Sequence, residues 1–273
     1  MGIRQAVIMA GGEGIRLRPL TRDVPKPMVL VNNRPFLEYL IEMLRLNGVN
    51  EVVLLVGYLH EKITQHFGNG SGFGLSLKYS VGKVSDKTGT RIRNAGPLLD
   101  DTFLLMYGDN YWPLDLEALL EAYTMHKTLA STTVYANKDG KGEYGAENNI
   151  CVDNNGYVLK YDKSRKDKDL NGVDIGFFIV GKKVLELMPD HNFSFEEEIL
   201  PVLVAQRQLS AYQTEHRYYY ISTVENLKAA EKFLQSKEAV GINTLRGFKP
   251  EVLASEDNLK GPNHLSGKGE RRP

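Results

Sequence analysis

The chain has one cysteine among its 273 residues, and its 34 lysines and arginines are balanced by 34 aspartates and glutamates. The single thiol, Cys151, excludes an internal disulfide framework and is typical of proteins from a reducing compartment. A formal net charge of zero provides no global field that would attract nucleic acid or an anionic membrane. We therefore expect neither nucleic acid nor membrane as a partner.

Long apolar runs are also absent. Glycines at positions 11 and 12 interrupt the apolar stretch nearest the N-terminus, so no signal peptide is predicted. No other run approaches the length of a transmembrane helix. Apolar residues make up 42% of the chain, which is enough for a substantial core. These features predict a cytoplasmic globular protein.

Several familiar catalytic signatures are missing. The P-loop string of Gly, four residues and Gly-Lys-Ser/Thr does not occur. The dinucleotide fingerprint is broken because Leu17 and Pro19 stand where a third glycine and an opening helix are required. The histidines lie in unrelated contexts without a matching serine or cysteine motif, so nucleophilic catalysis is not predicted.

What the chain does have is a glycine-rich loop directly after a short apolar strand predicted at residues 5–10. The loop begins at Ala10 and contains Gly11, Gly12 and Gly14. Without side chains at these glycines, backbone N–H groups can approach phosphate oxygens closely. The loop therefore predicts a binding site for the phosphates of a nucleotide.

Two basic residues follow this loop. Arg16 supplies a planar, permanently charged fork, and Lys26 supplies a point charge between Pro25 and Pro27. The alternative interpretation is a plain tight turn after a strand, which leaves both charges without a role. Together, the loop and the two basic residues predict a site that binds a polyphosphate and a second anion next to each other.

Residues 7–28, V-I-M-A-G-G-E-G-I-R-L-R-P-L-T-R-D-V-P-K-P-M, resemble the signature of the sugar-1-phosphate nucleotidyltransferases. That signature reads G-G-x-G-T-R-L-x-P-L-T followed by P-K-P, and Ile15 replaces its threonine. The resemblance implies an enzyme that joins a nucleoside triphosphate to a sugar 1-phosphate and releases pyrophosphate. It covers residues 1–240, which we predict to be one nucleotidyltransferase domain, with a flexible tail at residues 241–273.

The order of sequence patterns predicts an α/β fold with a doubly wound, mostly parallel (Rossmann-like) sheet. Added antiparallel strands in the second half are predicted to form a sugar-binding lid. The predicted helices are residues 35–46, 59–67, 114–126 and 224–235. The predicted strands are residues 5–10, 51–56, 103–107, 131–137, 149–152, 157–161, 173–180, 209–214 and 218–222.

Gly108 and Asp109 follow the buried strand predicted at residues 103–107, where such sheets bind their ligands. An aspartate at this edge can hold Mg²⁺ between phosphate oxygens, and the resemblance implies that role for Asp109. The alternative is a turn aspartate of no catalytic importance. Gly108 is assigned to the nucleotide site.

The resemblance also implies a sugar-phosphate site. Asp162 and Lys163 occupy the place of the family's Glu-Lys-Pro, whose carboxylate contacts sugar hydroxyls and whose lysine reaches the sugar phosphate. Tyr144 and Gly145 match an element that brings backbone close to the sugar, and Asp174 stands where many relatives carry asparagine. For Asp162 and Lys163, the alternative is a solvated, charged loop.

Thr88 and Gly89 lie where relatives place the loop that reads the nucleobase, although a plain surface loop is the alternative. One departure concerns the family string W-x-D-I-G-T-P, whose aspartate is a second metal ligand, because Tyr220 stands at that position. Either Asp109 holds the metal mostly with substrate phosphates, or Asp162 or Asp174 replaces the missing ligand. A further alternative is a protein that binds nucleotide without turnover.

Residues 104–114, 192–203 and 216–223 are most similar to guanylyltransferases acting on D-glycero-D-manno-heptose 1-phosphate. The resemblance therefore implies GTP and this heptose phosphate, in a reaction that serves surface polysaccharide synthesis. The alternatives are mannose 1-phosphate with GTP, glucose 1-phosphate with TTP or UTP, and a cytidylyltransferase. A catalytically weak nucleotide-sugar-sensing subunit is the alternative of another class, and a homo-oligomer stays open.

The expected mechanism is an in-line attack of the sugar phosphate oxygen on the α-phosphorus. The resemblance assigns catalytic roles to Arg16, Lys26 and Asp109. Arg16 and the loop amides hold the triphosphate, Lys26 neutralises the reacting phosphates, and Lys163 grips the sugar phosphate. Charge neutralisation and alignment supply the catalysis in such phosphoryl chemistry.

Overall fold

The computed structural model describes residues 2–138 and 148–236. Its strands are β1 (Gln5–Ala10), β2 (Leu30–Val31), β3 (Arg34–Pro35), β4 (Glu51–Val56), β5 (Ser76–Val81), β6 (Thr102–Tyr107), β7 (Asn110–Tyr111), β8 (Ala130–Tyr135), β9 (Ile150–Val152), β10 (Val158–Tyr161), β11 (Val173–Gly181), β12 (Leu209–Thr214) and β13 (Tyr219–Tyr220). Its α-helices are α1 (Phe36–Leu46), α2 (His60–Phe67), α3 (Thr88–Asn94), α4 (Leu116–His126), α5 (Leu200–Ala205) and α6 (Val224–Leu234).

The described residues form a central seven-stranded sheet in the order β12-β8-β11-β6-β1-β4-β5. Strand β11 is antiparallel to both of its neighbours, and the other pairs in the sheet are parallel. The beginning of β11 therefore lies at the edge where β6 and β8 end. The predicted doubly wound, mostly parallel sheet with antiparallel additions is confirmed.

Successive side chains of each strand point to opposite faces of the sheet, and apolar side chains form a core on each face. In β1, Ile8 belongs to the apolar cluster that contains Leu40 of α1, and Val7 belongs to the cluster that contains Ile92 of α3. Strand β4 is apolar at nearly every position because both of its faces are covered. Helices cover both faces, and sheets of this kind bind their ligands at the carboxyl edge of the strands.

Smaller antiparallel pairs complete the fold. Strands β9 and β10 form the predicted hairpin, with Gly156 in its turn at φ +80°. Strand β13 pairs with β7, which places Tyr220 opposite Asn110. Tyr161, at the end of β10, reaches the carboxyl edge of the sheet. In the two described ranges, no helix has the length and apolar character needed to cross a bilayer.

The structure also contains elements that the sequence patterns did not predict. Strand β5 was missed because S-L-K-Y-S-V lies at the sheet edge and is only partly buried. Helix α5 was missed as well, and the strand predicted at residues 218–222 is shorter than expected. Residues 88–90 were predicted as a loop but begin helix α3, so that prediction was wrong.

Candidate active site

Two adjoining cavities open at the carboxyl edge of the sheet, with volumes of about 450 Å³ and about 500 Å³. The first lies over the glycine-rich loop, and the second lies over the beginning of β11. Among the described residues, those that line both are Arg16, Tyr107, Asp109 and Ser222. Groups on two different ligands could therefore meet at this shared boundary.

The first cavity collects most of the residues assigned to nucleotide binding and catalysis. Gly89 does not line this cavity, although its neighbour Thr88 does. The predicted residues that line it are Ala10, Gly11, Gly12, Gly14, Arg16, Lys26, Thr88, Gly108 and Asp109. Elements far apart in the chain thus converge on one concave surface, as expected of a site that encloses a triphosphate.

Both the backbone conformation and the neighbouring side chains require a glycine at position 14. Its φ of +65° lies in the left-handed region, which disfavours other residues. A Cβ atom there would lie 2.9 Å from the Cβ of Lys26, and the Thr21 hydroxyl donates a 2.7 Å hydrogen bond to the Gly14 carbonyl. These contacts hold the loop against the segment that carries Lys26.

Sequence reasoning missed Arg91, whose nearly buried guanidinium braces the glycine-rich loop from below. A Cβ atom on Gly11 would lie 2.3 Å from its Nη1 atom, so glycine at this position makes room for the arginine. Burial lowers the pKa of Arg91, and the nearby Asp86 carboxylate opposes this effect. The guanidinium donates hydrogen bonds to the carbonyl oxygens of Asp86, Val56, Gly11, Lys83 and Val84.

Lys26, Asp109 and Ser222 form a triangle at the boundary of the two cavities. The Lys26 ammonium donates to Asp109 Oδ2 and, at 3.0 Å, to Ser222 Oγ. Lys26 begins a 3₁₀ turn directly after Pro25, which presets the backbone entering the turn. The predicted lysine and aspartate therefore form one ion pair at the place where the reacting phosphates are expected.

Asp109 also fits as a partial Mg²⁺ site. Its side chain keeps 27% of its surface exposed at the cavity boundary. Mg²⁺ commonly takes one or two carboxylates and completes its coordination with substrate phosphates and water. Residues 2–138 and 148–236 contain no group of three or more His, Cys, Asp or Glu side chains that could hold a metal by themselves. A metal ion at Asp109 would need further oxygen ligands, which substrate phosphates or water could supply.

In the second cavity, Lys163 and Asp174 are lining residues and Asp162 is not. Lys163 pairs with Glu197 at 3.2 Å, and both side chains are half exposed, so the ammonium can turn to another anion. Tyr144 and Gly145 lie outside the described residues. Of the predicted sugar-site residues, the structure thus places two at the cavity.

Asp162 organises its own loop. Its carboxylate accepts hydrogen bonds from Ser164 Oγ and from the backbone N–H groups of Ser164, Lys166 and Asp167. These bonds, led by that from the Ser164 hydroxyl, hold the pKa of Asp162 below its ordinary value. The expected contact between Asp162 and sugar hydroxyls stays a prediction, and its carboxylate is already engaged in this loop.

Asp174 has the opposite environment. Burial raises its pKa from 3.8 to about 6, and the negative charge of Glu196 acts in the same direction. Hydrogen bonds from Gly176 N at 3.0 Å and Thr132 Oγ1 at 2.8 Å partly offset this effect. Asp174 lines the second cavity, and the alternative that it replaces the missing second aspartate stays a prediction.

Titration of Asp174 predicts how its replacement changes stability with pH. The folded-state pKa of about 6 exceeds 3.8, so its stabilising contribution is present below pH 4 and lost as pH rises through 6. We expect the free energy of unfolding of Asp174→Asn, relative to wild type, to be about 2 kcal/mol more favourable at pH 7.5 than at pH 4.5. Urea unfolding of both proteins at the two pH values measures this change. The prediction is contradicted if the variant and the wild type differ in free energy of unfolding by the same amount at pH 4.5 and pH 7.5.

Glu196 links the two cavities and was also missed from sequence. It is buried on the π-helical turn Phe195–Ile199 and accepts hydrogen bonds from Thr88 Oγ1 at 2.6 Å, Ser194 Oγ at 2.7 Å and the Tyr107 hydroxyl. Burial opposes ionisation, but these donors outweigh it and lower the pKa of Glu196. Thr88 lines the first cavity and Glu196 the second, so one hydrogen bond joins their walls.

The structure gives a packing reason for glycine at position 89. A Cβ atom there would lie 2.1 Å from the ring of Phe193, so this glycine lets helix α3 pack against the segment before Glu196. The expected loop that brings backbone to a base edge is absent at this helix. Thr88 remains at the first cavity, and its contact with a nucleotide stays a prediction.

Comparison with known proteins agrees with this geometry. The sequence model described as "Nucleotidyl transferase" matches residues 5–237. The chain belongs to the nucleotidyl transferase family. The match spans both cavities, so the resemblance inferred from residues 7–28 extends to the whole described site.

Individual members of this nucleotidyl transferase family differ in their named substrates. A probable glucose-1-phosphate cytidylyltransferase of Bacillus subtilis is 30% identical, over 86% of this chain and 98% of that protein. A D-glycero-alpha-D-manno-heptose 1-phosphate guanylyltransferase of Aneurinibacillus thermoaerophilus is 28% identical, over 85% and 98% respectively. The crystal structure of HddC from Yersinia pseudotuberculosis complexed with GMP-PN is 27% identical, with a TM-score of 0.70 over 85% of this chain and 100% of that one.

Proposed function

We propose that this protein is a sugar-1-phosphate nucleotidyltransferase. The observation that carries the proposal is the ion pair of Lys26 and Asp109 at the boundary of two cavities, one over a glycine-rich loop and one over polar side chains. A reaction between two phosphorylated substrates needs two adjoining sites and positive charge at their junction, where a carboxylate can also hold a metal ion. The relatives named above are transferases of this kind.

The triphosphate would bind in the first cavity. Backbone N–H groups of Gly11 and Gly12 and the guanidinium of Arg16 would hold its oxygens. Arg91 keeps the Gly11 carbonyl fixed, so the loop needs little reorganisation when the ligand arrives. Preorganised donors cost no rearrangement at the moment of reaction.

The sugar 1-phosphate would bind in the second cavity, with Lys163 turning from Glu197 to the phosphate. Its phosphate oxygen would then attack the α-phosphorus in line, and pyrophosphate would leave with the electron pair of the broken P–O bond. Lys26 would stabilise the charge that develops at the junction. No side chain becomes covalently attached, which agrees with the lack of a nucleophile motif.

Mg²⁺, which we propose as the cofactor, would neutralise phosphate oxygens when bound. Asp109 is the protein residue that would hold it. To do so, Asp109 must share its carboxylate between the metal and Lys26. Tyr220, at the position of the family's second aspartate, has a pKa raised by burial and stays a neutral phenol.

For the substrates, we propose GTP and D-glycero-D-manno-heptose 1-phosphate. The guanylyltransferase relative and the HddC complex with GMP-PN support this choice. A cytidylyltransferase acting on glucose 1-phosphate is the second candidate, supported by the Bacillus subtilis relative. At identities near 30%, residues that read the base and the sugar can differ while the shared chemistry is retained.

The test is pyrophosphate release with Mg²⁺, using ATP, GTP, CTP, UTP and TTP against heptose, mannose and glucose 1-phosphates. Release only with GTP and the heptose phosphate would support the full proposal. Release with another pair would retain the reaction and replace the substrates. Folded protein that binds a nucleotide but releases no pyrophosphate with any pair would favour the nucleotide-sugar-sensing alternative.

A further inference from the structure

The hydroxyl of Ser222 lies between the two charged groups at the cavity boundary. It accepts a 3.0 Å hydrogen bond from Lys26 Nζ and lies 3.5 Å from Asp109 Oδ2, to which it can donate. Only 5% of the surface of Ser222 is exposed to solvent, yet the residue lines both cavities. A hydroxyl can accept from an ammonium and donate to a carboxylate at the same time.

The backbone around Ser222 is fixed relative to Asp109. The N–H group of Ile221 donates a 3.0 Å hydrogen bond to the Asp109 carbonyl oxygen. Directly before it, the β13–β7 pair places Tyr220 opposite Asn110. The hydroxyl is therefore held at a defined position beside the ion pair, and side-chain rotation about one bond is its remaining freedom.

The ion pair has a conflict that Ser222 can resolve. A cation held by Asp109 would compete with Lys26 for the charge of the same carboxylate, and a second acceptor would then help to keep Lys26 in place. The described contacts of the Lys26 ammonium are Asp109 and Ser222. The serine hydroxyl is the second acceptor that keeps Lys26 in place when its bond to the carboxylate weakens.

We propose that Ser222 is a positioning residue for nucleotidyl transfer, acting through Lys26. Its hydroxyl would hold the ammonium at the junction of the cavities when Asp109 shares its carboxylate with a bound metal ion. This inference rests on the proposed function. It assigns no contact with the reacting atoms to Ser222 itself.

The test compares Ser222→Ala and Ser222→Thr with wild type, using the substrate pair that the wild-type panel identifies. Loss of the hydroxyl should lower kcat about tenfold and leave KM for both substrates within about threefold, because the cavity walls are unchanged. Ser222→Thr retains the hydroxyl and should recover most of kcat. Unchanged kcat in the alanine variant, or equal losses in both variants, would overturn the proposal.

A double-mutant cycle separates positioning from a general structural role. In a Lys26→Ala background, Ser222→Ala should change kcat less than about twofold, because the group it positions is gone. A full tenfold further loss would overturn the proposal. As a control, Ser210→Ala removes a buried hydroxyl outside both cavities and should give the same loss in both backgrounds.

A binding measurement keeps this test independent of turnover. With a non-hydrolysable nucleotide, Mn²⁺ should bind Ser222→Ala several-fold more weakly than wild type, because Lys26 then stays paired with Asp109. Electron paramagnetic resonance of free Mn²⁺ gives both affinities. Equal affinities would overturn the proposed role of Ser222, whereas a wild-type protein inactive on every substrate pair would overturn the proposed function.

Discussion

Lys26→Ala is expected to lower kcat for pyrophosphate release by about 10²- to 10³-fold while the protein remains folded. The ammonium is the positive charge paired with Asp109 at the cavity boundary, so its loss removes one of the charges that would stabilise the reacting phosphates. The fold should survive because the Asp109 side chain is 27% exposed and can be rehydrated. Steady-state kinetics at saturating substrates, with circular dichroism and thermal unfolding, provide the measurement.

Two further variants make this result specific. Lys183→Ala removes an exposed lysine outside both cavities and should leave kcat unchanged. Lys26→Arg retains the charge in a larger, planar group and should recover only part of the activity. The guanidinium does not fit the position of the compact ammonium between Asp109 and Ser222. Wild-type turnover from folded Lys26→Ala would exclude the proposed role of Lys26.

Arg91→Met is expected to lower the free energy of unfolding by about 3–5 kcal/mol. The guanidinium donates hydrogen bonds to carbonyl oxygens of three segments, and methionine fills a similar volume without any hydrogen-bond donor. The Gly11 carbonyl loses its brace in this variant, so nucleotide affinity should fall by at least about tenfold in the molecules that stay folded. Urea unfolding and calorimetric titration with GTP measure the two effects.

Arg93→Met is the matched control because Arg93 lies on the same helix and outside both cavities. Its guanidinium donates to the carbonyl of Pro189 and lies 3.7 Å from the exposed Asp190 carboxylate. We expect a stability loss of about 1 kcal/mol and unchanged nucleotide affinity. Similar losses of nucleotide affinity in both variants would show that Arg91 has no special connection to the glycine-rich loop.

The parts of the site that could be predicted from sequence are those with local signals. The glycines of the loop, Arg16 and Lys26 lie within one short segment, and their types and spacing suffice to indicate phosphate binding. Asp109 was identified because it follows a continuous apolar run, the pattern of a buried strand ending at the ligand edge. Such signals need no knowledge of distant residues.

The missed residues depend on contacts between distant segments. Arg91 is one of many arginines in the sequence, and only the fold brings its guanidinium beneath Gly11. Gly89 was expected to approach a nucleobase, and only the fold shows that a Cβ atom at this position would meet the ring of Phe193. Asp162 matched a sugar-binding position, although the backbone N–H groups of its own loop engage the carboxylate. Residue type alone does not distinguish these cases.

The sequence by itself therefore determined most of the alternation of strands and helices, the glycine-rich loop and the family, because hydrophobic period and short motifs are local properties. Only the tertiary structure decided which charges meet. The pairing of Lys26 with Asp109 and Ser222 joins positions separated by 83 and 196 residues. Parallel strands bring their carboxyl ends to one edge regardless of distance along the chain, and that convergence is what creates the site.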